Sequence, residues 1–420
     1  MQTNKMADQR GARLFADINS CFRRDPLIDE YDFLPVTEPK HNKSPLVVVE
    51  HKLGLEAWCV KILFRYCYDR LLDWRSKEGQ AKFAHPQEVS GLSRAVLLIQ
   101  PDCYTVWNIR KDLVECGDVT IADDLKLGSL ILSKHPKSAE TFIHRRWLLL
   151  KLLNQCLASS NDSNASNNSC QQDGCINMDA IGVDFLPHVD DHAPNNHMLQ
   201  MAIHRDVQGQ MQEELSVCRR AADRYPCNYH AWSHRIWTLQ HCYNCSTRVL
   251  LAELHATQSW VSKHISDHSG FHYRQFILNQ LLQQADILRD KFCTNAHNLL
   301  ERELELILDL INSYPSHEAL WYHRKFVFHS LHHSLSKTAK TSSHSQQPLS
   351  CDKNGGSCSS DEHGTTDEHQ GQKKFKSENS EQQGLVLREL DSVSHKTAPD
   401  SHTRHLATRY KEWIQQCFSH

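Results

Sequence analysis

The chain has 420 residues, with 47 Lys+Arg against 50 Asp+Glu, so its formal net charge is −3. It is long enough to bury a substantial core, and its charge balance argues against a nucleic-acid binder, whose affinity comes from neutralising phosphates. The N-terminal segment Met1–Arg10 has charges but no apolar run of the kind a secretory signal needs. No stretch approaches the ~18 apolar residues required to span a bilayer. These features place the chain in the cytoplasm, where its 16 cysteines are expected to stay reduced.

In chain order, residues 1–52 read as a helical or irregular lead-in. Leu53–Trp74 follows as a helix whose apolar side carries Trp58, Ile62, Leu63, Tyr66, Leu71 and Leu72. From there to residue 333 the chain repeats itself. Five segments share an aromatic residue followed three positions later by Arg: Trp107/Arg110, Phe142/Arg145, Trp232/Arg235, Phe271/Arg274 and Trp321/Arg324. The residue before Arg is His in three of them. Pro101, Pro136, Pro226 and Pro315 each stand six positions before their aromatic; the fourth copy has Ile265 there.

Each unit reads as a helical hairpin. The proline ends the upstream helix, a short turn follows, and the aromatic and Arg share a face of the next helix. The basic period is about 35–40 residues, as in paired-helix solenoids. The step from Phe142 to Trp232 is much longer because a segment rich in Asn, Ser, Asp and Gly, about 159–196, is inserted. That segment, and a Ser/His/Lys-rich one at 334–383, are expected to be disordered. Residues 384–420 become helical again and are expected to cap the array. Period-2 alternation is nearly absent, so strands are not expected. The predicted fold is all-α, a solenoid of tandem helical hairpins with two disordered insertions.

Three other patterns carry little chemistry. Cys242-Tyr-Asn-Cys245, with His241 beside it, lacks the two further ligands of a zinc site. His268 and His272 stand four apart on a helix, but they belong to the fourth repeat. The last residues, Cys417-Phe-Ser-His420, resemble a prenylation box only superficially, because Ser occupies an aliphatic position.

The five aromatic-x-x-Arg segments resemble the tandem repeats of the protein prenyltransferase α-subunit family. They include Tyr104-Thr-Val-Trp107, His144-Arg-Arg146 and Asn228-Tyr-His-Ala-Trp232-Ser-His-Arg235. The likeness spans about residues 95–330, and the two long polar insertions are similar to those of its divergent repeat-containing members. The resemblance implies a crescent of hairpins around a β-subunit that holds zinc and the isoprenoid pocket. It also implies transfer of a farnesyl or geranylgeranyl group from its diphosphate to a cysteine of an acceptor protein. No metal or cofactor is expected in this chain itself.

By the same resemblance, Lys137, after the proline opening the second repeat, corresponds to the lysine that reaches the isoprenoid diphosphate; without the resemblance it reads as a solvated turn lysine. A Tyr and a Gln that meet the acceptor peptide in the farnesyl-type enzymes are replaced by Ala139 and Glu140. An anion at Glu140 disfavours a free C-terminal carboxylate, which points to a Rab-type geranylgeranyltransferase β-subunit as the partner. Asn228, Tyr229 and His230 match the turn that faces the active-site funnel. The repeat aromatics and arginines read as core or interface anchors. The alternative is a non-enzymatic adaptor that uses the same repeats to bind a protein.

Overall fold

A computed structural model describes residues 2–39, 44–76, 85–164, 196–342, 382–393 and 401–418. The chain divides into two compact units, Met1–Ser246 and Thr247–His420. The division falls between the third and fourth aromatic-x-x-Arg motifs, inside the stretch that the sequence reads as one block.

The first unit opens with α1 (Gln2–Arg24) and a three-stranded sheet: β1 (Glu30–Leu34), β2 (Leu46–Val49) and β3 (Lys52–Glu56). The strand order is β1-β3-β2, with β1 parallel and β2 antiparallel to β3. This sheet corrects the expectation of no strands. Each strand is only four or five residues long, too short for alternation to stand out. Leu53 and Leu55, which do alternate into the core, were absorbed by the pattern of the following helix. That helix, α2 (Ala57–Arg75), begins at Ala57 rather than Leu53.

The helices then pair. The first unit holds α3 (Pro86–Ile99) with α4 (Tyr104–Glu115), α5 (Ile121–Lys134) with α6 (Ala139–Asn164), and α7 (Asn196–Arg224) with α8 (Tyr229–His241). The second holds α9 (Thr247–Lys263) with α10 (His268–Gln283), a short α11 (Ala285–Phe292), α12 (Ala296–Ser313) with α13 (Glu318–Ser342), and α14 (382–393) followed by α15 (Ser401–Phe418). The fold is all-α and built of tandem helical hairpins. Side chains cap the entries: Thr120, Asn228, Asp267 and Asn295 accept bonds from the first-turn N–H groups of α5, α8, α10 and α12. α6 and α13 run to Asn164 and Ser342, beyond the start of each polar insertion. No proline or glycine stops them before those ends. Residues 165–195 and 343–381, the bulk of both insertions, lie outside the described residues.

Apolar residues at helical spacing build the core. In α12, Leu300, Ile307, Leu310 and Ile311 are buried, and Glu303 lies within the same stripe. Asp124 of α5 and Glu253 of α9 sit in equally buried positions. Carboxylates on an apolar face must be paired, since an isolated buried charge is very costly.

Candidate functional site

The partners of those carboxylates explain the repeat motif. Trp107, Phe142, Trp232, Phe271 and Trp321 are all buried, as are the five motif arginines. The indole N–H groups of Trp107 and Trp321 donate to the carbonyls of Pro101 and Pro315 at 2.7 and 2.8 Å. In these two copies the indole thus fixes the residue six positions upstream through its carbonyl.

Arg145 forks onto Glu214, Nε to Oε1 at 2.7 Å with Nη2 on Oε2, and Arg274 grips Glu303 in the same way. Arg110 meets Asp124, and Arg324 meets Glu389. In Arg110, Arg145, Arg235 and Arg274, Nη1 also donates to the carbonyl of the residue twenty positions earlier. These four guanidiniums thus tie their own hairpins together, and Arg110, Arg145, Arg274 and Arg324 reach the next hairpin through their carboxylates.

Each of these carboxylates, and Glu253 with them, takes a donor from its own hairpin. His144 Nε2 donates to Asp124 at 2.7 Å, His234 to Glu214 at 2.6 Å and His323 to Glu303 at 2.8 Å. Tyr273 does the same for Glu253, and Tyr410 for Glu389. Burial pushes the three histidines down, outweighing their carboxylate partners, so they are neutral. Burial alone raises the Glu214 and Glu303 carboxyls, but the adjoining Arg and His outweigh it and hold both at about 2. Ile109 precedes Arg110 where other copies have His or Tyr. Twenty positions before it stands Val89, so no carboxylate is there to be met.

The sequence reading missed these carboxylates, although they carry a countable signal. Four lie twenty residues before the His or Tyr they meet. The same geometry extends into α14 and α15, where Tyr410 and Lys411 stand in the places of the motif's His and Arg. Among the described residues the motif arginines are therefore committed to holding hairpins together, which leaves the turns to carry chemistry.

Lys137 is exposed on the turn between α5 and α6. Its Nζ lies 4.4 Å from the centre of the Tyr225 ring, a partner absent from the sequence reading. Ser138 Oγ donates to Asp102 at 2.8 Å, and the Glu140 N–H donates to the same carboxylate oxygen at 3.2 Å. The side chain of Asn228 donates to the Pro136 carbonyl at 2.7 Å. These bonds bring the turns before α4, α6 and α8 side by side, with Tyr104 and Tyr229 at 62% and 67% exposure. Glu140 and His230 are half-buried on the same turns, and His230 stands edge-on to the Tyr229 ring.

The edge thus presents one cation, one carboxylate, phenols and an imidazole at a surface, without a nucleophile–base pair or an enclosed pocket of its own. Cys242 is buried, and burial pushes its thiol up to about 12, while His241 stacks on Trp237. Among the described residues no three His, Cys, Asp or Glu side chains are grouped to hold a metal. No described helix is long and apolar enough to cross a membrane.

A family model described as "Protein prenyltransferase alpha subunit repeat" matches residues 211–242, 250–281 and 300–331. "Protein prenyltransferase alpha subunit repeat-containing protein 1" of Danio rerio is 39% identical over 344 residues, covering 76% of this chain and 72% of the relative. The chain belongs to this protein prenyltransferase alpha subunit repeat family. The Homo sapiens protein of the same name is 38% identical over 347 residues, covering 76% of this chain and 78% of its own length. "Geranylgeranyl transferase type-2 subunit alpha" of Mus musculus is 22% identical over 251 residues, 57% of this chain and 34% of that protein. Each stretch matched by the family model runs from the carboxylate helix through the turn to just beyond the motif Arg. Glu214/Arg235, Glu253/Arg274 and Glu303/Arg324 mark the three.

Proposed function

We propose that the chain is the α-type subunit of a heterodimeric protein prenyltransferase. With a Rab-type geranylgeranyltransferase β-subunit it transfers a geranylgeranyl group to a cysteine of an acceptor protein. The β-subunit carries the zinc and the lipid pocket, and Lys137 contacts the isoprenoid diphosphate. The distant likeness to a subunit named for geranylgeranyl transfer supports this reading. The observation that carries it is the exposed Lys137 on a turn bonded directly to the Asn228–Tyr229–His230 turn. A cation beside a departing diphosphate stabilises the charge that builds up as its bond to the lipid breaks. An exposed cation–π contact such as that of Lys137 with Tyr225 is worth only about 0.5–1 kcal/mol. The lysine is therefore held at the edge yet released cheaply to an anion. Glu140, beside Ala139, leaves the rim unsuited to a free C-terminal carboxylate and favours an acceptor presented in another way.

The test is co-purification of tagged protein with the β-subunit, followed by transfer from labelled geranylgeranyl diphosphate by wild type and Lys137→Ala. Loss of a preorganised charge contact should lower kcat by about 100-fold with the heterodimer intact. A chain that brings down no β-subunit and supports no transfer is instead an adaptor, the reading that Ala139 and Glu140 would then favour.

A further inference from the structure

Arg110, Arg145, Arg274 and Arg324 each meet a carboxylate. Arg146, one position after Arg145 and half-buried, does not. Its Nε donates to His234 Nδ1 at 3.2 Å and its Nη2 to Ser233 Oγ at 3.4 Å, and the guanidinium carbon lies 5.6 Å from the centre of the Trp237 ring. With His234 Nε2 bonded to Glu214, Nδ1 is the free acceptor of a neutral ring. None of these partners carries a negative charge, and a partly desolvated cation without an anion is costly.

Two more cations share this face. Lys111 and Lys151 place Nζ 5.8 and 5.5 Å from the centre of the Trp147 ring, and no ion pair joins either to a described carboxylate. Ile143 and Leu150, at 48% and 42% exposure, line the same side of α6 with Trp147 between them. Glu115 and Glu140 lie at the ends of α4 and α6 and bond to none of these cations. Half-buried tryptophans, an arginine with spare donors and exposed aliphatics are the composition of a protein interface core.

We propose that this face of α4, α6 and α8 docks a carboxylate-lined surface of the β-subunit, with acidic groups on Arg146, Lys111 and Lys151 and apolar groups on Ile143 and Leu150. The inference rests on the heterodimer proposed above and adds the surface and charge that assemble it.

The test measures β-subunit affinity at low and high salt for wild type, Arg146→Gln and Lys111→Glu/Lys151→Glu. Glutamine is a conservative choice, because Gln275, one position after Arg274, already reaches the corresponding His323 Nδ1 at 3.4 Å. Removing one partner of a buried interfacial charge pair costs about 2–5 kcal/mol, so Arg146→Gln should weaken binding at least about 30-fold. The double reversal should weaken it further and flatten the salt dependence. Wild-type affinity in both variants, with unchanged melting, overturns the docking face and leaves the heterodimer standing. Failure of the wild-type chain to bind any β-subunit overturns both.

Discussion

Glu214→Gln tests the interior most directly. The carboxylate receives Arg145 Nε at 2.7 Å and His234 Nε2 at 2.6 Å on Oε1, and Arg145 Nη2 on Oε2. The Arg145 and Glu214 side chains are 2% and 1% exposed. An amide of the same shape offers one oxygen and sets an NH2 against a donor, leaving the guanidinium buried without an anion. Breaking a buried pair from one side costs about 3–5 kcal/mol, a large share of the roughly 5–15 kcal/mol that holds a domain together. In a unit of this size each kcal/mol moves Tm by about 2–4 °C, so a drop of at least about 6 °C is expected. Thermal melts at pH 7.5 followed by circular dichroism measure that drop, and urea unfolding followed by tryptophan fluorescence measures the free-energy loss. Arg145→Met/Glu214→Leu should cost less than Glu214→Gln, because only the His234 N–H is then orphaned, at about 1–3 kcal/mol. A cost below about 1 kcal/mol for Glu214→Gln, or a double variant as unstable as the sum of its singles, would refute the pairing as the main support of this hairpin.

The same bonds set a pH dependence. His144, His234 and His323 have folded pKa values below the usual 6.5, so their contribution is complete above about pH 6.5 and is lost as pH falls through the folded values. The slope reaches at most about 4 kcal/mol per pH unit for three groups. Glu214 and Glu303, held at about 2, contribute above about pH 4.5 and are lost between there and pH 2. Denaturation series at pH 7.5, 6 and 5 should show the first loss, and flat stability across them would contradict neutral buried histidines. A reciprocal exchange tests the position after the motif Arg. His144 Nδ1 is buried without a partner, and Lys111 stands where Arg146 serves His234. Lys111→Arg should therefore gain about 1 kcal/mol, and Arg146→Lys should lose a similar amount. Thermal melts of the two read the signs, and a loss in the first would disprove the equivalence.

The repeats were legible because each copy keeps its aromatic and Arg on one helix turn and its proline at a fixed offset. Their cause was not, because the proline matters through its carbonyl, which every residue type carries. The carboxylates were hidden for a different reason. Arg145 reaches 69 residues on to Glu214 and Arg324 reaches 65 on to Glu389, across insertions that destroy any fixed spacing from the Arg. The distance back from the His or Tyr holds at twenty in four copies and is twenty-one in the last. Lys137 could be placed on a turn from Pro136, but its aromatic seat could not, since Tyr225 follows α7, beyond the first insertion. The sheet was lost because its strands are short and the last, β3, runs straight into α2 and shares its apolar letters.

Donors inside the hairpins are matched to need, and that makes the exceptions informative. Gln275 shows that a neutral amide is enough to reach the next histidine's Nδ1. Ile109 shows that the polar residue before Arg disappears where no carboxylate awaits it. By that standard Arg146 has more charge than its hairpin uses, and its remaining N–H groups find no anion among the described residues. Lys111 exceeds the requirement in the opposite sense. It keeps a cation at the surface over Trp147 while leaving His144 Nδ1 without a donor that arginine at the same position would supply. Both departures raise the positive charge of one exposed face at some cost to the interior. The fold alone does not account for these two residues, and the proposed docking with an acidic surface would balance a cost of that kind.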